Sequence, residues 1–189
     1  QPTGGMRNGA LQFDGTDDYF DAVDILNSLA LPMSFTFWVK KTGTQTATAF
    51  ATDDNLTNYF GVWCHLYADR SIELAFGDGG GTASSQRRSK ITASGKYPQN
   101  QWSNVVCVLR GATDMSIYVD GLDVGGNYDG TGGVLTHSSA PFLLARRAQG
   151  NTYLAAHLDD FRVYSRALSQ TEVKVIAQHP PVAVADNYS

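Results

Sequence analysis

Aspartates occur at two places where they could bind a metal ion. The turn "DGTDD" carries Asp14 and Asp17, and Asp159 stands with a second acid before the aromatic and β-branched run "FRVYS". A Ca²⁺ ion takes about six to eight oxygen ligands from carboxylates, backbone carbonyls and water. The turn offers both kinds of oxygen, since Gly15 allows its backbone to bend. Asp14, Gly15 and Asp17 are therefore candidate calcium ligands.

The kind of acid supports this interpretation. Sixteen of the 18 acidic residues are Asp, which turns and oxygen-ligand metal sites favour, whereas helix surfaces favour Glu. Crowded carboxylates without a cation would also repel one another. The alternative is that the acids of the turn bond to nearby backbone and that those near 159 begin a strand in solvent.

Two loops mix polar side chains with aromatic rings, as carbohydrate-binding sites do. Carboxylates and carboxamides can bond to hydroxyls, and rings can stack on C–H faces. The candidate ligand-binding residues are Asp53, Asp54, Asn55, Asn58, Tyr59 and Trp63 in the first loop, and Asn127 and Asp129, beside Tyr128, in the second. The alternative is two ordinary loops, with Trp63 in the core.

Basic pairs occur at Arg87–Arg88 and Arg146–Arg147. Such pairs could contact an acidic glycan, although paired arginines are more often simply solvated. The sequence leaves both interpretations open.

The catalytic constellations of common hydrolases are missing from the sequence. A retaining glycosidase needs two carboxyl groups about 5–5.5 Å apart, but Glu73 and Glu172 are the only glutamates and no strand carries alternating acids. The four histidines lack zinc-ligand spacing, and no Ser or Cys lies in a nucleophile elbow. We therefore expect no catalytic residues and a non-enzymatic protein.

Composition limits the partners. The formal net charge is −4 and the sequence pI is about 5.4, so no general basic field attracts nucleic acid. No apolar run reaches the roughly 20 residues of a membrane span, and "QPTGGMRNGA" does not resemble a signal peptide. We expect no nucleic-acid partner and no direct membrane insertion.

The elements that must position these residues are short strands. The chain has 19 glycines and two glutamates, a composition that favours turns over helices and an all-β domain. Strand-like runs separated by turns are predicted at 10–13, 19–23, 34–41, 46–52, 58–68, 71–77, 102–110, 115–121, 141–147 and 155–165.

One helix is predicted near the end of the domain. Ser169 and Glu172 have the spacing of a capping box before an apolar run, which indicates a helix at about 169–177. The following prolines stop it. We therefore divide the chain into a sandwich domain at 1–178 and a Pro-rich linker at 179–189, which leads into a further domain. Cys64 and Cys107 are either one disulfide or two buried thiols.

Five segments resemble one known family. "ALQFDGTDDYF", "SFTFWVKK", "WSNVVCVLRG", "MSIYVDGLDVG" and "HLDDFRVYSRALSQTEV" occur in the order and at the spacing of laminin-G-like domains of the concanavalin A-like lectin/glucanase superfamily. The resemblance covers about residues 9–178. It implies a two-sheet antiparallel jelly-roll sandwich and a recognition module, extracellular or at the cell surface.

The resemblance also implies roles for particular residues. The Asp that begins the last long strand is commonly a calcium ligand in the related fold, and Asp159 holds that place. The first and last strands of such a sandwich are neighbours, so the turn at 14–18 and Asp159 are expected to converge on one ion. The tail "PPVAVADNYS" resembles the start of cadherin-like repeats in bacterial surface adhesins, which implies covalently linked neighbouring domains.

Three functions remain open at this point. The domain could bind a carbohydrate or other cell-surface ligand, bind protein, or act as a structural spacer in a long surface protein. A filled groove without exposed aromatic residues would favour the spacer.

Overall fold

The computed structural model describes residues 9–53, 55–147, 149 and 152–179. Within them the chain is almost entirely β-structure. The strands are β1 (Leu11–Asp14), β2 (Phe20–Asp21), β3 (Met33–Lys41), β4 (Ala47–Ala51), β5 (Val62–Leu66), β6 (Ile72–Gly77), β7 (Arg87–Ile91), β8 (Ser103–Gly111), β9 (Asp114–Val119), β10 (Leu122–Asp123), β11 (Asn127–Asp129), β12 (Leu143–Leu144), β13 (Arg146–Arg147), β14 (Thr152–Tyr153) and β15 (Ala155–Tyr164). A 3₁₀ turn lies at Ser84–Gln86 and a helix, α1, at Gln170–Gln178.

The strands form two large antiparallel sheets. The smaller sheet has the order β1-β15-β3-β8-β9-β10, and the larger sheet has the order β11-β7-β6-β5-β4-β12-β2. Strands β13 and β14 pair separately. The predicted all-β sandwich with one short helix is confirmed.

The core lies between the two large sheets and contains several phenylalanine rings. Phe35 of β3 stacks on Phe50 of β4 with ring centres 4.5 Å apart, and Phe161 of β15 packs edge-on against Phe50 at 5.4 Å. Offset and edge-to-face pairs of this kind add to the stabilisation from burying the rings. The two sheets are thus joined through aromatic contacts.

Helix α1 covers the outer face of the smaller sheet. Val173 of the helix and Leu168 before it pack with Val106, Val108 and Tyr118 of that sheet. The predicted capping box is present: the backbone N–H of Glu172 donates to the Ser169 side chain, and the Glu172 side chain accepts from the Ser169 N–H. With this face closed, the outer face of the larger sheet is the open side of the sandwich.

The two cysteines are free thiols in the core. Cys64 of β5 and Cys107 of β8 come from opposite sheets, and their sulfur atoms are 4.0 Å apart. The hydrogen bond to Cys107 and burial raise the pKa of Cys64 well above its usual value. Of the two alternatives left open by the sequence, the structure has the buried thiols.

No helix among the described residues has the length and apolar character needed to cross a membrane. Residues 180–189, most of the predicted linker, lie outside the described residues, and the division at 178 stays a prediction.

Candidate functional site

Strand β5 places a row of aromatic and polar side chains on the outer face of the larger sheet. Side chains alternate between the two faces of a strand. Cys64 and Leu66 therefore join the core, while Trp63 packs on the opposite side in a separate small cluster with Tyr59. His65, two positions after Trp63, lies on the same outer face.

A pocket of about 190 Å³ opens on this outer face. Its walls come from β5 and the segments on either side of it, from β6 and β7, and from β13. The lining residues are Tyr59, Trp63, His65, Tyr67, Glu73, Arg87 and Arg147. We refer to this set as the outer pocket.

One wall of the outer pocket is a stack of two rings under a guanidinium group. The Tyr59 and Trp63 rings have centres 5.3 Å apart. The guanidinium carbon of Arg147 lies 4.0 Å from the Trp63 ring centre and 5.2 Å from that of Tyr59. Trp63 is consequently only 2% exposed, and this stack combines cation–π attraction with burial of the rings.

The floor of the pocket holds a buried carboxylate. The Tyr67 hydroxyl donates to Oε2 of Glu73 at 2.9 Å, and the same oxygen is 3.4 Å from Nδ1 of His65. Nη1 of Arg87 lies 3.8 Å from Oε1. The Glu73 carboxylate thus lies among one hydroxyl donor, one imidazole and one guanidinium group.

His65 is neutral in this environment. Burial, followed by the charges of Arg147 and Arg87, lowers the pKa of His65 to about 3. Nε2 is buried and makes no hydrogen bond within the described part of the chain.

Arg87 connects the outer pocket to strand β11. Nη2 of Arg87 donates to Oδ2 of Asp129 at 2.5 Å, and Nη1 donates to the Ser89 hydroxyl at 2.7 Å. This hydrogen bond with Arg87 lowers the pKa of Asp129. Asn127 and Asp129 stand in register with Ile91 and Ser89 of β7, which brings the second predicted loop to the edge of the same sheet.

The structure gives Asp53 a different role from the predicted one. Its side chain has no exposed area, and its carboxylate accepts hydrogen bonds from the Ser138 N–H at 2.6 Å and the Thr52 hydroxyl at 3.1 Å. It also pairs with His137 at 2.7 Å. Buried carboxylates need such partners, so Asp53 holds loops together and is not presented to a ligand.

The two asparagines of the first loop also have structural partners. Oδ1 of Asn55 accepts from the N–H and hydroxyl of Thr57 and from the N–H of Asn58, and Nδ2 of Asn58 donates to the carbonyl of Gly79. These bonds fix the loop. Asp54 lies outside the described residues, so its predicted role stays a prediction.

The acids of the 14–18 turn do lie together. Carboxylate oxygens of Asp14, Asp17 and Asp18 are all within 4.8 Å of one another, and all three residues are exposed. The turn bonds that offered an alternative are present too: Asp14 accepts from the N–H of Thr16, and Asp18 accepts from that of Asp14. Three carboxylates suit Ca²⁺, although two of them already hold the turn.

Strand register separates Asp159 from this turn. Strands β1 and β15 are neighbours as expected, but Asp14 pairs with Ala155 and Leu11 with Leu158. Asp159 lies four positions along β15 from Ala155, or about 13 Å at roughly 3.3 Å per residue. The expected convergence on one ion is therefore wrong.

The second acid at the head of this run has its own partner. Asp160 binds Arg162 through two bonds, from Nε at 2.7 Å and from Nη2 at 2.8 Å. Asp159 accepts from the N–H of Asp160 at a bulge in β15. The positive group bound to Asp160 is thus an arginine of the same chain.

The sequence predicted only Tyr59 and Trp63 of the outer pocket, together with Asp129 at its edge. It missed His65, Tyr67, Glu73, Arg87 and Arg147 as members of one site. The alternation of "VWCHLY" was the signal available for two of them, because Trp63, His65 and Tyr67 share one face when Val62, Cys64 and Leu66 fill the core.

Two packed antiparallel sheets, with one short helix on the outer face of the smaller sheet, form a jelly-roll sandwich. A family model described as the concanavalin A-like lectin/glucanases superfamily matches residues 14–174. The chain therefore belongs to this superfamily, and the resemblance stated above is confirmed.

Solved structures with this fold include proteins of several kinds. A heptameric SAP-like pentraxin from Limulus polyphemus is 16% identical with a TM-score of 0.58, over 93% of this chain and 84% of that chain. The binding domain of botulinum neurotoxin serotype D is 15% identical with a TM-score of 0.62, over 90% and 42%. A Trypanosoma rangeli sialidase in complex with sialic acid is 15% identical with a TM-score of 0.57, over 89% and 27%.

These identities support a common fold and nothing finer. The chain spans less than half of the neurotoxin domain and of the sialidase. No curated protein matches the sequence significantly.

Proposed function

We propose that this domain is a non-catalytic, extracellular recognition module that binds carbohydrate in the outer pocket. The observation that carries the proposal is the combination of the partly exposed Tyr59 ring with hydrogen-bonding groups on one open sheet face. Sugars need this combination, because their hydroxyls bond to polar groups while their C–H faces pack on rings. The pentraxin and the neurotoxin binding domain with the same fold agree with a binding role.

Among the described residues the outer pocket is lined by one carboxylate, that of Glu73, which supports the non-catalytic part. Glu73 is in the pocket, but Glu172 is bound in the capping box of α1, and Asp129 is held by Arg87. Glycosidases require two carboxyl groups that flank the scissile bond. The test is incubation with soluble β-glucans: we expect no reducing sugar, and release that disappears in Glu73→Gln would contradict the proposal.

A glycan array with the domain displayed multivalently tests carbohydrate binding. Each hydrogen bond to a sugar contributes only about 0.5–1.5 kcal/mol, and repeated copies raise the apparent affinity. Tyr59→Ala should abolish binding of any glycan that wild type captures. Tyr19→Ala is the matched control, because Tyr19 is an aromatic residue outside the pocket, 43% exposed. Equal loss in both variants would argue against this pocket.

Calcium forms a separate part of the proposal. We place it at the turn, with Asp14, Asp17 and Asp18 as carboxylate ligands, where it would offset the repulsion between them. Its role there is to stabilise the fold.

A protein-binding module or a structural spacer is the second candidate. The observation in its favour is that Trp63, the largest ring of the pocket, is covered by Arg147 and is 2% exposed. If no glycan on the array binds the domain, this second candidate replaces the first proposal.

A further inference from the structure

We propose that the segment at 24–31 is a strap that His137 holds closed while its ring carries two protons and releases when the ring loses one. The strap lies between β2 and β3 and contributes no residue to the outer pocket, so the proposal does not depend on carbohydrate binding. A groove of about 390 Å³ separates the strap from the segment at 133–137. Residues 29–31 line one side of this groove, and residues 133–135 with His137 line the other.

The ring of His137 contacts two groups that can only accept hydrogen bonds. Nδ1 lies 2.7 Å from Oδ2 of Asp53, and Nε2 lies 2.7 Å from the backbone carbonyl oxygen of Leu29. A neutral imidazole has one N–H group, whereas an imidazolium has two. The closed arrangement therefore requires the imidazolium, and the loss of one proton breaks one of the two bonds.

The bond to Leu29 is the one that breaks. A carboxylate accepts a stronger hydrogen bond than a backbone carbonyl does, so the remaining proton stays on Nδ1, beside Asp53. The lone pair of Nε2 then faces the Leu29 carbonyl, and two acceptors at this distance repel each other. Deprotonation thus replaces an attraction between His137 and the strap with a repulsion.

His137 and Asp53 are fixed to the sheet, so the strap is the part that can move. Thr136, the residue before His137, donates its N–H to the carbonyl of Gly77 at 3.0 Å and accepts from the N–H of Gly61 at 2.8 Å. The Asp53 carboxylate keeps the other donors described above, from the neighbouring loop and from its own segment. None of these bonds depends on the proton of the His137 ring.

The strap itself has few bonds to the rest of the domain. Its backbone hydrogen bonds are local, such as the one from the Leu29 N–H to the Leu26 carbonyl at 3.1 Å. Among the described residues, the contact between the Leu29 carbonyl and His137 is the one hydrogen bond that joins residues 24–31 to a distant part of the chain. Leu26 and Leu29 are only partly buried where they pack against the core, and Ile25 is 58% exposed. Without the His137 bond, only these apolar contacts hold the strap closed.

A carboxylate of the strap depends on the same positive charge. Oδ2 of Asp24 accepts from Nδ2 of Asn27 at 2.6 Å, but Oδ1 is buried and has no hydrogen-bond partner among the described residues. The hydrogen bond with Asp53 raises the pKa of His137, burial opposes this increase, and the charge of Asp24 adds to it. Once the imidazolium is lost, the buried oxygen of Asp24 has no cation to offset its desolvation, which favours movement of the strap toward water.

The sign of the pH dependence follows from the raised pKa. Asp53 and Asp24 are the ionisable groups that act on the His137 ring in the described part of the chain. The strap is therefore closed below about pH 6.5, the unfolded-state pKa of a histidine, and opens as pH rises through the higher folded-state pKa. The shape of the groove changes with it, since the strap forms one of its sides.

An NMR titration of the domain between about pH 5 and 9, on both sides of the histidine pKa, tests the link between the ring and the strap. The amide of Ala30 reports on the bond at Leu29, because that amide and the Leu29 carbonyl belong to one peptide group. We expect the Ala30 amide nitrogen and the ring protons of His137 to change with one common midpoint. A His137 ring that titrates without any change at Ala30 would overturn the proposal, as would a ring that stays in one state across the range.

Hydrogen exchange measures the opening itself. After correction for the intrinsic effect of pH on exchange, the strap amides should lose protection about 10- to 100-fold above the His137 midpoint, the range for a hydrogen bond to a charged group. The amides of β5 (Val62–Leu66) should keep their protection, which separates strap opening from global unfolding. Equal loss of protection in the strap and in β5 would contradict a local strap.

Variants assign the pH dependence to one ring. In His137→Gln the protection of the strap should no longer depend on pH. His157→Gln is the matched control, because His157 lies on β15 and packs against Trp102, and it should keep the dependence of wild type. Strap opening that still follows pH in His137→Gln would overturn the proposal.

Asp24→Asn provides a test that does not require His137→Gln to fold. It keeps the ring of His137 and both of its hydrogen bonds while removing one negative charge that favours the imidazolium. The midpoints of the His137 ring and of the strap should therefore move together to lower pH. A strap midpoint that stays in place while the ring midpoint moves would show that another group controls the strap.

Discussion

Nδ1 of His137 donates a hydrogen bond to Oδ2 of Asp53 at 2.7 Å, across 84 positions of sequence. Nε2 of the same ring lies 2.7 Å from the backbone carbonyl of Leu29. A carboxylate and a carbonyl can only accept, so both ring nitrogens carry protons and His137 is an imidazolium. The His137 side chain thus connects the loop that contains Asp53 with the segments that contain Leu29 and His137 itself.

We expect the free energy of unfolding to depend on pH through His137. The hydrogen bond with Asp53 raises the pKa of His137 above its usual value, against the opposing effect of burial. Its contribution is therefore fully present below about pH 6.5, the unfolded-state pKa, and is lost as pH rises through the folded-state pKa. The measurement is chemical denaturation of wild type and His137→Gln across this range.

The difference in the free energy of unfolding between wild type and His137→Gln isolates the contribution of the Asp53–His137 pair. Burial lowers the pKa values of His65 and His157, and such groups change stability in the opposite direction with pH. Because His65 and His157 titrate in both proteins, their contributions to the free energy of unfolding cancel in the difference. His137→Gln should cost about 3 kcal/mol at pH 6, because it leaves a buried carboxylate without its cation, and the cost should shrink at higher pH. A cost that is constant with pH would contradict the imidazolium assignment.

Calcium should raise the melting temperature through the 14–18 turn. An ion that binds only the folded state stabilises it by about 2.7 kcal/mol at a hundredfold excess over Kd. Asp17→Asn should remove this shift, and Asp78→Asn, in a glycine-rich turn elsewhere, should not. Asp159→Asn should also keep the shift, since the register places Asp159 away from the turn. If Asp159→Asn alone lost the shift, the calcium site would instead be assigned to the start of β15.

Cys64 and Cys107 should be inert in the native protein. Both are fully buried, and the pKa of Cys64 is raised, so the reactive thiolate is scarce. Ellman's reagent should detect no thiol in the native state and both thiols after denaturation without a reducing agent. Absence of free thiols in the denatured protein would mean that the cysteines are bridged.

The fold could be predicted from sequence where local signals agree with the tertiary structure. The ten predicted strand regions and the capping box at Ser169 and Glu172 all correspond to elements of the structure. Strand β7 was missed because "RRSKI" does not alternate apolar and polar residues. Arg88 and Lys90 reach past the edge of the core to the carbonyls of Ala112 and Met115 and lie over the Tyr128 ring.

The candidate site was less predictable because it depends on register and on distant partners. Asp53 has the composition of a ligand-binding residue, and only the structure brings His137 and Ser138 to its carboxylate. The two groups of acids lie on neighbouring strands as expected, but a four-residue offset keeps Asp159 from the turn. Composition indicates which chemistry is available, whereas contacts decide which groups are already engaged.

Gly61 tests how tightly the Asp53–His137 pair fixes the neighbouring loop. Gly61 has a positive φ of 60°, and an added Cβ would collide with Asp53 and with the Thr52 hydroxyl. Gly125 has a similar φ of 68° with nothing within 4 Å of the added Cβ. Both Gly→Ala changes carry the penalty of a left-handed backbone, about 1–2 kcal/mol, but only the one at Gly61 adds a clash.

We therefore expect Gly61→Ala to lower the free energy of unfolding by about 1–3 kcal/mol more than Gly125→Ala, the usual cost of overpacking. Urea denaturation of both variants at pH 6 gives this difference directly. In the His137→Gln background the extra cost should decrease, because Asp53 without its cation can move away from the new methyl group. An extra cost that is unchanged there would mean that Thr52 and the backbone, and not the ion pair, hold Asp53 in place.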